Sequence, residues 1–408
     1  HNYARWSSVP AEKEDSDMGV EPGASLFEWR EPKPGQKAGF GKWKNPKSPY
    51  DLFMEAQGVP IHRDIGVHKV QDLPLQPWKR LGGRGTAIQL LGSEHLWGMY
   101  VVEVPGAGAL NAERHLYEEI YYVVDGRGTT EVWQEGSKRK LTFEWSRGSL
   151  FAIPLNAWHR IVNATSSPAL LLAGTTAPNA MDLYSNPDFI FNCPYAFTDR
   201  YVGEQDFFAV GQKRYTLGLQ NIWETNFIPD IRKASLQSLE LKGAGLQLSQ
   251  WEMSGNSLIG HVGEWPVGNY HKAHYHGPGA IIVGLQSVGY VILWSKELGT
   301  RPYEAGYADK VVEIKWTEGS VYCPPGNWFH QHFNTGKEPA RHLAVRYGSR
   351  LHPLGFKVAV QRKDDDVYID INKGGNLIEY KYEDPEIRAR YEQALKNNGV
   401  ACQMPKVA

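Results

Sequence analysis

Cysteine is scarce in this sequence. Cys193, Cys323 and Cys402 are the three in 408 residues, and they lie far apart with no C-x-x-C pair. Such spacing encodes neither a disulfide framework nor a cysteine-based zinc site. Long hydrophobic runs are also missing, since no stretch approaches the about 18 consecutive apolar residues that a membrane helix needs. Neither sign of charge prevails: 44 Lys and Arg stand against 45 Asp and Glu, for a net charge of -1. That balance offers no electrostatic footprint for nucleic acid or anionic lipid, so neither partner is expected. The first residues show no charged-then-apolar signal pattern, and with few cysteines a reducing cytoplasm is the expected compartment. The Asn-x-Thr sequon at Asn163 is then a chance match.

What is present is a globular composition, 41% hydrophobic and 22% charged, in a chain long enough for two or three domains. Residues 1–64 read as an N-terminal arm rich in Gly, Pro, Lys and Trp, suited through Trp6, Trp29 and Trp43 to packing on a partner subunit. It closes in a short helix that Ser48-Pro49 opens and Gly58 stops. Over 65–178, short apolar runs such as Met99–Val104, Ile120–Val124 and Leu150–Ile153 are separated by Gly, Pro and Asn turns. Strands at that spacing imply a sandwich or barrel. Residues 179–235 are irregular and aromatic-rich, as an interdomain segment would be, and the strand pattern resumes over 236–350. In 351–408, Val367, Ile369 and Ile371 alternate with polar residues before a Lys373–Asn376 turn into Leu377–Tyr382, which predicts a hairpin. Asp384-Pro385-Glu386 then caps a helix ended by Asn398-Gly399. The acidic run Asp364–Asp366 reads as a solvated strand edge.

An internal repeat carries the most information. Glu113–Gly128 (ERHLYEEIYYVVDGRG) aligns without a gap on His274–Gly289 (HYHGPGAIIVGLQSVG) at an offset of 161. Gly148–Asn163 (GSLFAIPLNAWHRIVN) aligns on Gly319–Asn334 (GSVYCPPGNWFHQHFN) at an offset of 171. Upstream, Ile88-Gln89-Leu90 echoes Leu246-Gln247-Leu248. The chain is a duplicated β domain.

Side chains two apart on a strand share a face, so His274 and His276 project together, and His330 begins another strand where it could meet them. Three imidazoles in an apolar barrel suit Fe, Mn, Ni, Cu or Zn rather than Mg or Ca, and leave coordination positions open. In the first copy Glu113 stands in place of His274, with His115, Glu119 and His159 completing a harder set for a second divalent metal. The competing reading there is a decayed site, with Glu119 ion-paired to Arg114 or Arg160.

These residues resemble the two motifs of the cupin superfamily, G-x5-H-x-H-x(3,4)-E-x6-G and G-x5-P-x-G-x2-H-x3-N, in a bicupin arrangement. Gly268, His274 and His276 match the first motif in the second copy, with Ala280 in place of its glutamate; His115, Glu119 and Gly126 match it in the first copy. The second motif matches at Gly148, Pro154, His159 and Asn163, and again at Gly319, Pro325, His330 and Asn334. Its internal glycine is Asn156 and Asn327 here. The resemblance implies an all-β chain of two double-stranded β-helix (jelly-roll) barrels, each with a metal position. The missing glutamate makes the second site similar to the three-histidine ferrous sites of gentisate-type dioxygenases and other cupin oxygenases. In that group the working three-histidine site lies in the first domain.

Other residues bear on the chemistry. His332 shares the parity of His330 and so faces the barrel interior, either tuning the site or bonded to backbone. Arg346 could clamp a substrate carboxylate bidentately. His271 has the opposite parity to His274 and is expected at the surface. Tyr322, Trp328 and Phe329 surround the third ligand, Cys323 reads as buried, and Gly82–Gly85 reads as a turn. The expectation is an Fe(II) dioxygenase taking a small aromatic, enolic or hydroxy-acid substrate at His274, His276 and His330, with dioxygen as co-substrate. The alternatives are an oxygen-independent lyase, decarboxylase or isomerase using Mn, Ni or Zn in the first barrel, with Glu113 or Glu119 moving the proton, and a non-catalytic storage or binding bicupin. A homo-oligomer is expected from the aromatic arm and cupin precedent.

Overall fold

The computed structural model describes residues 47–406 apart from 94, 211–212, 218–219, 278–279 and 353–368. The arm with Trp6, Trp29 and Trp43, and the Asp364–Asp366 run, lie outside the described residues. The helix at the end of the arm spans Pro49–Ala56; Ser48 caps it by accepting from the Asp51 amide at 3.1 Å, and Gly58 leaves it at φ +71°.

Two β barrels follow. In the first, one sheet runs in the order Ile61–Asp64, Gly83–Leu90, Gly98–Val104, Ala169–Thr175, Glu119–Asp125, Leu150–Ile153, Phe227–Ile228. Gly108–Ala109, Trp158–Asn163, Arg127–Trp133 and Leu141–Ser146 make its second sheet. The second barrel repeats this order with Gln220–Glu224, Gln247–Glu252, Leu258–Trp265, Ala340–Tyr347, Ile281–Gln286, Val321–Tyr322 and Gly66–Val67, faced by Val312–Thr317, Val288–Ser295 and Trp328–Asn334. The barrels exchange their last strands. Gly66–Val67, from the first repeat, pairs with Val321–Tyr322, while Phe227–Ile228, from the second, pairs with Leu150–Phe151. Residues 179–235 are therefore more than a crossing: they hold helices packed under the first barrel and strands belonging to both.

The central strands are apolar on both faces because both faces are covered. On Gly98–Val104, Tyr100 and Val102 fill the first barrel, while Met99 and Val101 join a shared core with Ile281, Val283, Leu343 and Val345 of the second. The register also corrects one sequence match. Ile88 pairs with Met99, and the equivalent of Met99, Gly260, pairs with Trp251. The counterpart of Ile88-Gln89-Leu90 is thus Trp251-Glu252-Met253, not Leu246-Gln247-Leu248. Three residues of alternation are too few to fix register, and this slip moves the triplet from the shared core to the barrel interior.

The tail departs from expectation. No antiparallel hairpin forms among the described residues of 367–382: Ile371–Lys373 is a 3-10 turn, Leu377 makes one parallel bridge to Asp370, and it also bridges His274. The Tyr275 amide donates to Asn376 O at 3.0 Å and the Ile378 amide to Ala273 O at 2.8 Å. The helix Pro385–Asn398 is capped by Asp384 and ended by Gly399 at φ +65° as expected, and it buries Ile387, Tyr391 and Leu395 against Tyr270 and Phe333. Gly82–Gly85 is a turn at Gly82 alone; Gly83 and Gly85 lie in a strand, where a Cβ would meet Glu103 O at 2.4 Å or the Trp78 ring at 2.6 Å. No helix among the described residues is long and apolar enough to cross a membrane.

Candidate metal centres

His274, His276 and His330 meet inside the second barrel. The ligand nitrogens all lie within 4.8 Å of one another, with ring centroids 5.8, 4.3 and 4.7 Å apart. A single antiparallel bridge between His274 and His330 sets the spacing. His274 Nδ1 lies 3.1 Å from Lys272 O and His330 Nδ1 3.2 Å from Trp328 O, which holds Nδ1–H and turns Nε2 inward. Burial, reinforced by neighbouring positive charge, pushes all three imidazoles well down, His330 to about 3. They are therefore neutral, the form that binds metal. Ala280 is buried where a carboxylate would complete the set.

Arg346 is buried on the interior-facing side of its strand with His342 and Ala344, donating to Gln250 Oε1 at 2.6 Å and to Tyr347 O at 3.2 Å. Its positive charge helps hold the His276 and His261 imidazoles neutral. His332 does face inward, with Nδ1 2.7 Å from the Tyr322 hydroxyl, which also lies 3.2 Å from His342 Nδ1. His271 is a correction: it is buried, its ring 4.3 Å from that of Trp265. The stretch before His274 is not regular strand, so parity does not carry through it. Phe329 points away from the triad onto Trp294 and Tyr275, and Cys323 is buried. Sequence reading missed His261, His342 and Lys242. The i, i+4 spacing of His342 and Arg346 on one strand was the available signal.

In the first barrel, Glu113, His115, Glu119 and His159 also bring one ligand atom each within 4.8 Å of one another. The bridge between Glu113 and His159 reproduces that between His274 and His330. His115 Nε2 lies 3.2 Å from Glu119 Oε2, and His159 Nε2 is buried without a hydrogen-bond partner, 3.9 Å from a carboxylate oxygen of each glutamate. Tyr100 and Tyr121 donate to Glu119 at 2.8 and 2.5 Å. Burial raises the Glu119 carboxyl, but the imidazoles of His115 and His159 and the Tyr121 hydroxyl outweigh it and hold it at about 2. Glu119 is not paired with the arginines considered from the sequence, since Arg114 binds Glu135 and Arg160 binds Glu131. The unanticipated partner is Arg80, which binds Glu113 and stacks over Trp78 and Phe191. Two imidazoles, two carboxylates and an orphaned inward nitrogen fit a divalent metal.

Both second motifs serve as braces. Asn163 and Asn334 are fully buried and donate across the following turn, to Ser167 O at 2.7 Å and to Glu338 O at 2.9 Å. The Asn163 sequon is thus structural. Asn156 and Asn327, in place of the family glycine, adopt left-handed φ of 57° and 61°.

Residues 99–174 match the cupin domain family. No curated protein is significantly similar in sequence. Among solved structures, a variant of Bacillus subtilis oxalate decarboxylase shares 12% identity over 68% of this chain and 76% of its own, with a TM-score of 0.44. Lactobacillus farciminis oxalate decarboxylase in complex with formate shares 12% over 71% of this chain and 86% of its own, with a TM-score of 0.45. Residues 99–174 thus hold a cupin domain in the first barrel, and the second barrel repeats its strand order and ligand positions, a bicupin architecture.

Proposed function

We propose that the chain is a metal-dependent enzyme whose working centre is the three-histidine site of the second barrel, acting on a small anionic organic acid, enol or phenol. The observation that carries this reading is the convergence of three neutral imidazoles where a carboxylate is replaced by Ala280. A divalent ion held by neutral ligands keeps its full charge, which favours an anionic chelating substrate. Such an ion, Fe(II) in the leading assignment, supplies Lewis acidity and an open face for dioxygen. Arg346 orients a substrate carboxylate beside His276, and the apolar barrel wall excludes water. Ring or C–C cleavage by dioxygen is the reaction assigned.

The second reading is an oxygen-independent lyase or decarboxylase in the first barrel, using Mn, Ni or Zn. It is favoured by Glu113, a carboxylate at the edge of that cluster held by Arg80 and placed to move a proton.

Metal content and oxygen uptake, measured on wild type, His276→Ala and His115→Ala, separate the two. Iron near one equivalent, lost with His276 alone together with at least about 100-fold of the oxygen-dependent turnover, supports the first reading. Anaerobic turnover lost with His115 and kept in His276→Ala overturns it for the second.

A further inference from the structure

The repeat puts Glu113 where the second barrel has His274, and the bridge from Glu113 to His159 matches that from His274 to His330. An imidazole at this place offers the metal position one nitrogen, and at His274 the other nitrogen is fixed on Lys272 O. A carboxylate has two equivalent oxygens on a longer, freely turning side chain. Glu113 therefore needs a brace of its own to present a single ligand atom in one place.

That brace is Arg80. Its Nη1 donates to Glu113 Oε2, while Glu113 Oε1 turns to the cluster, 3.9 Å from the orphaned Nε2 of His159. Arg80 is itself seated by its surroundings. Its Nε donates to Gln57 Oε1 at 3.2 Å, an oxygen that also accepts from Trp78 Nε1 at 3.1 Å. Gln57 caps the C-terminal end of the helix Pro49–Ala56, and its side-chain amide donates to Phe53 O at 3.3 Å. The guanidinium lies over the rings of Trp78 and Phe191, 5.7 and 5.3 Å from their centroids. A planar guanidinium bonded on two of its nitrogens holds a carboxylate oxygen in one place, which a flexible ammonium does not.

We propose that Arg80 is a positioning residue of the first metal centre: it occupies Glu113 Oε2, so that Glu113 meets a divalent ion through Oε1 alone, just as His274 offers one nitrogen. The proposal rests on the fit of that cluster to a divalent metal, and not on which barrel carries the reaction. Where the first barrel is the working one, Oε1 is also the oxygen that moves the proton, because Oε2 is committed to Arg80.

Manganese(II) is the probe, added to full-length His276→Ala so that the first centre alone fills. One equivalent should bind, and a further His115→Ala should abolish it. A crystal structure should show Glu113 bonded to the ion through Oε1, with Oε2 still on Arg80. Arg80→Lys, on the same background, keeps the positive charge but loses the fork; it should speed metal loss to a chelator about 10-fold. It should also alter the manganese EPR spectrum, whereas a purely structural role would lower Tm and leave that spectrum unchanged. Should Arg80→Lys not fold, Gln57→Leu, at a partly exposed helix end, unseats the guanidinium without removing it and should speed metal loss several-fold. Retention as in the parent in every folded variant overturns the inference while leaving the metal reading of the cluster standing. So does Glu113 bound through both oxygens, or standing clear of the ion. A His276→Ala protein that takes up no manganese overturns both.

Discussion

At the scale of single residues, two asparagines at equivalent turns make different contributions. Asn156 donates to Cys193 O at 3.0 Å and Tyr195 O at 2.7 Å, while the Asn327 side chain is exposed. Both hold a left-handed backbone that asparagine tolerates and glycine adopts freely. Asn327→Gly should therefore leave stability almost unchanged, whereas Asn156→Gly should cost about 1–2 kcal/mol through its lost hydrogen bonds. Chemical denaturation of the two variants checks the contrast; equal effects would show that backbone conformation alone governs both turns. Candidate ligands and turn residues such as these were legible in the sequence because few residue types bind a metal or hold a left-handed turn. Arg80, Lys242 and His261 were not legible. Their importance comes from facing inward, and facing depends on a register that strands apolar on both sides do not display.

At the scale of elements, the tail serves the metal site in a way its own pattern does not reveal. Asn376 donates from its side chain to Tyr275 O at 2.7 Å and accepts from the Tyr275 amide at 3.0 Å, clasping the residue between His274 and His276. Asn376→Ala should shorten metal retention against a chelator by about 10-fold, the scale of lost support around ligands, while changing Tm by only a few degrees. Metal loss no faster than wild type would confine Asn376 to a structural role. The strands and the C-terminal helix were recoverable from alternation, caps and stops, all of which are local. The hairpin was not, because choosing a partner strand is a long-range decision between competitors with equal local propensity.

For the whole molecule, the second barrel's buried histidines link stability to pH. Burial lowers the His342 imidazole from its ordinary value near 6.5 to about 3. An unfolded chain therefore binds a proton to this residue below about 6.5 that the folded chain refuses, so stability falls as pH drops from there towards 3. Glu383 works in the opposite sense: burial raises its carboxyl from 4.5 to about 7, giving stability that is full below 4.5 and is lost as pH rises through 7. Metal-free protein should lose Tm between pH 6.5 and 5, and His342→Phe should flatten that slope. An unchanged slope would place the acid sensitivity elsewhere.

The exchanged strands show how two barrels came to share one chain. The Val70 amide donates to Gly319 O at 2.9 Å, and the equivalent Ile231 amide to Gly148 O at 2.8 Å, so each half grips the other by the same bonds. That is the reciprocity of two identical subunits related by a twofold axis. A half-length forebear would have met its twin across this seam with like facing like. Where the fused chain now sets Arg147 against its own counterpart Glu318, the twins could have offered only arginine to arginine or glutamate to glutamate. Joining the copies end to end freed each side of the seam to differ, and the two barrels do differ, one holding two carboxylates in its cluster and the other imidazoles alone.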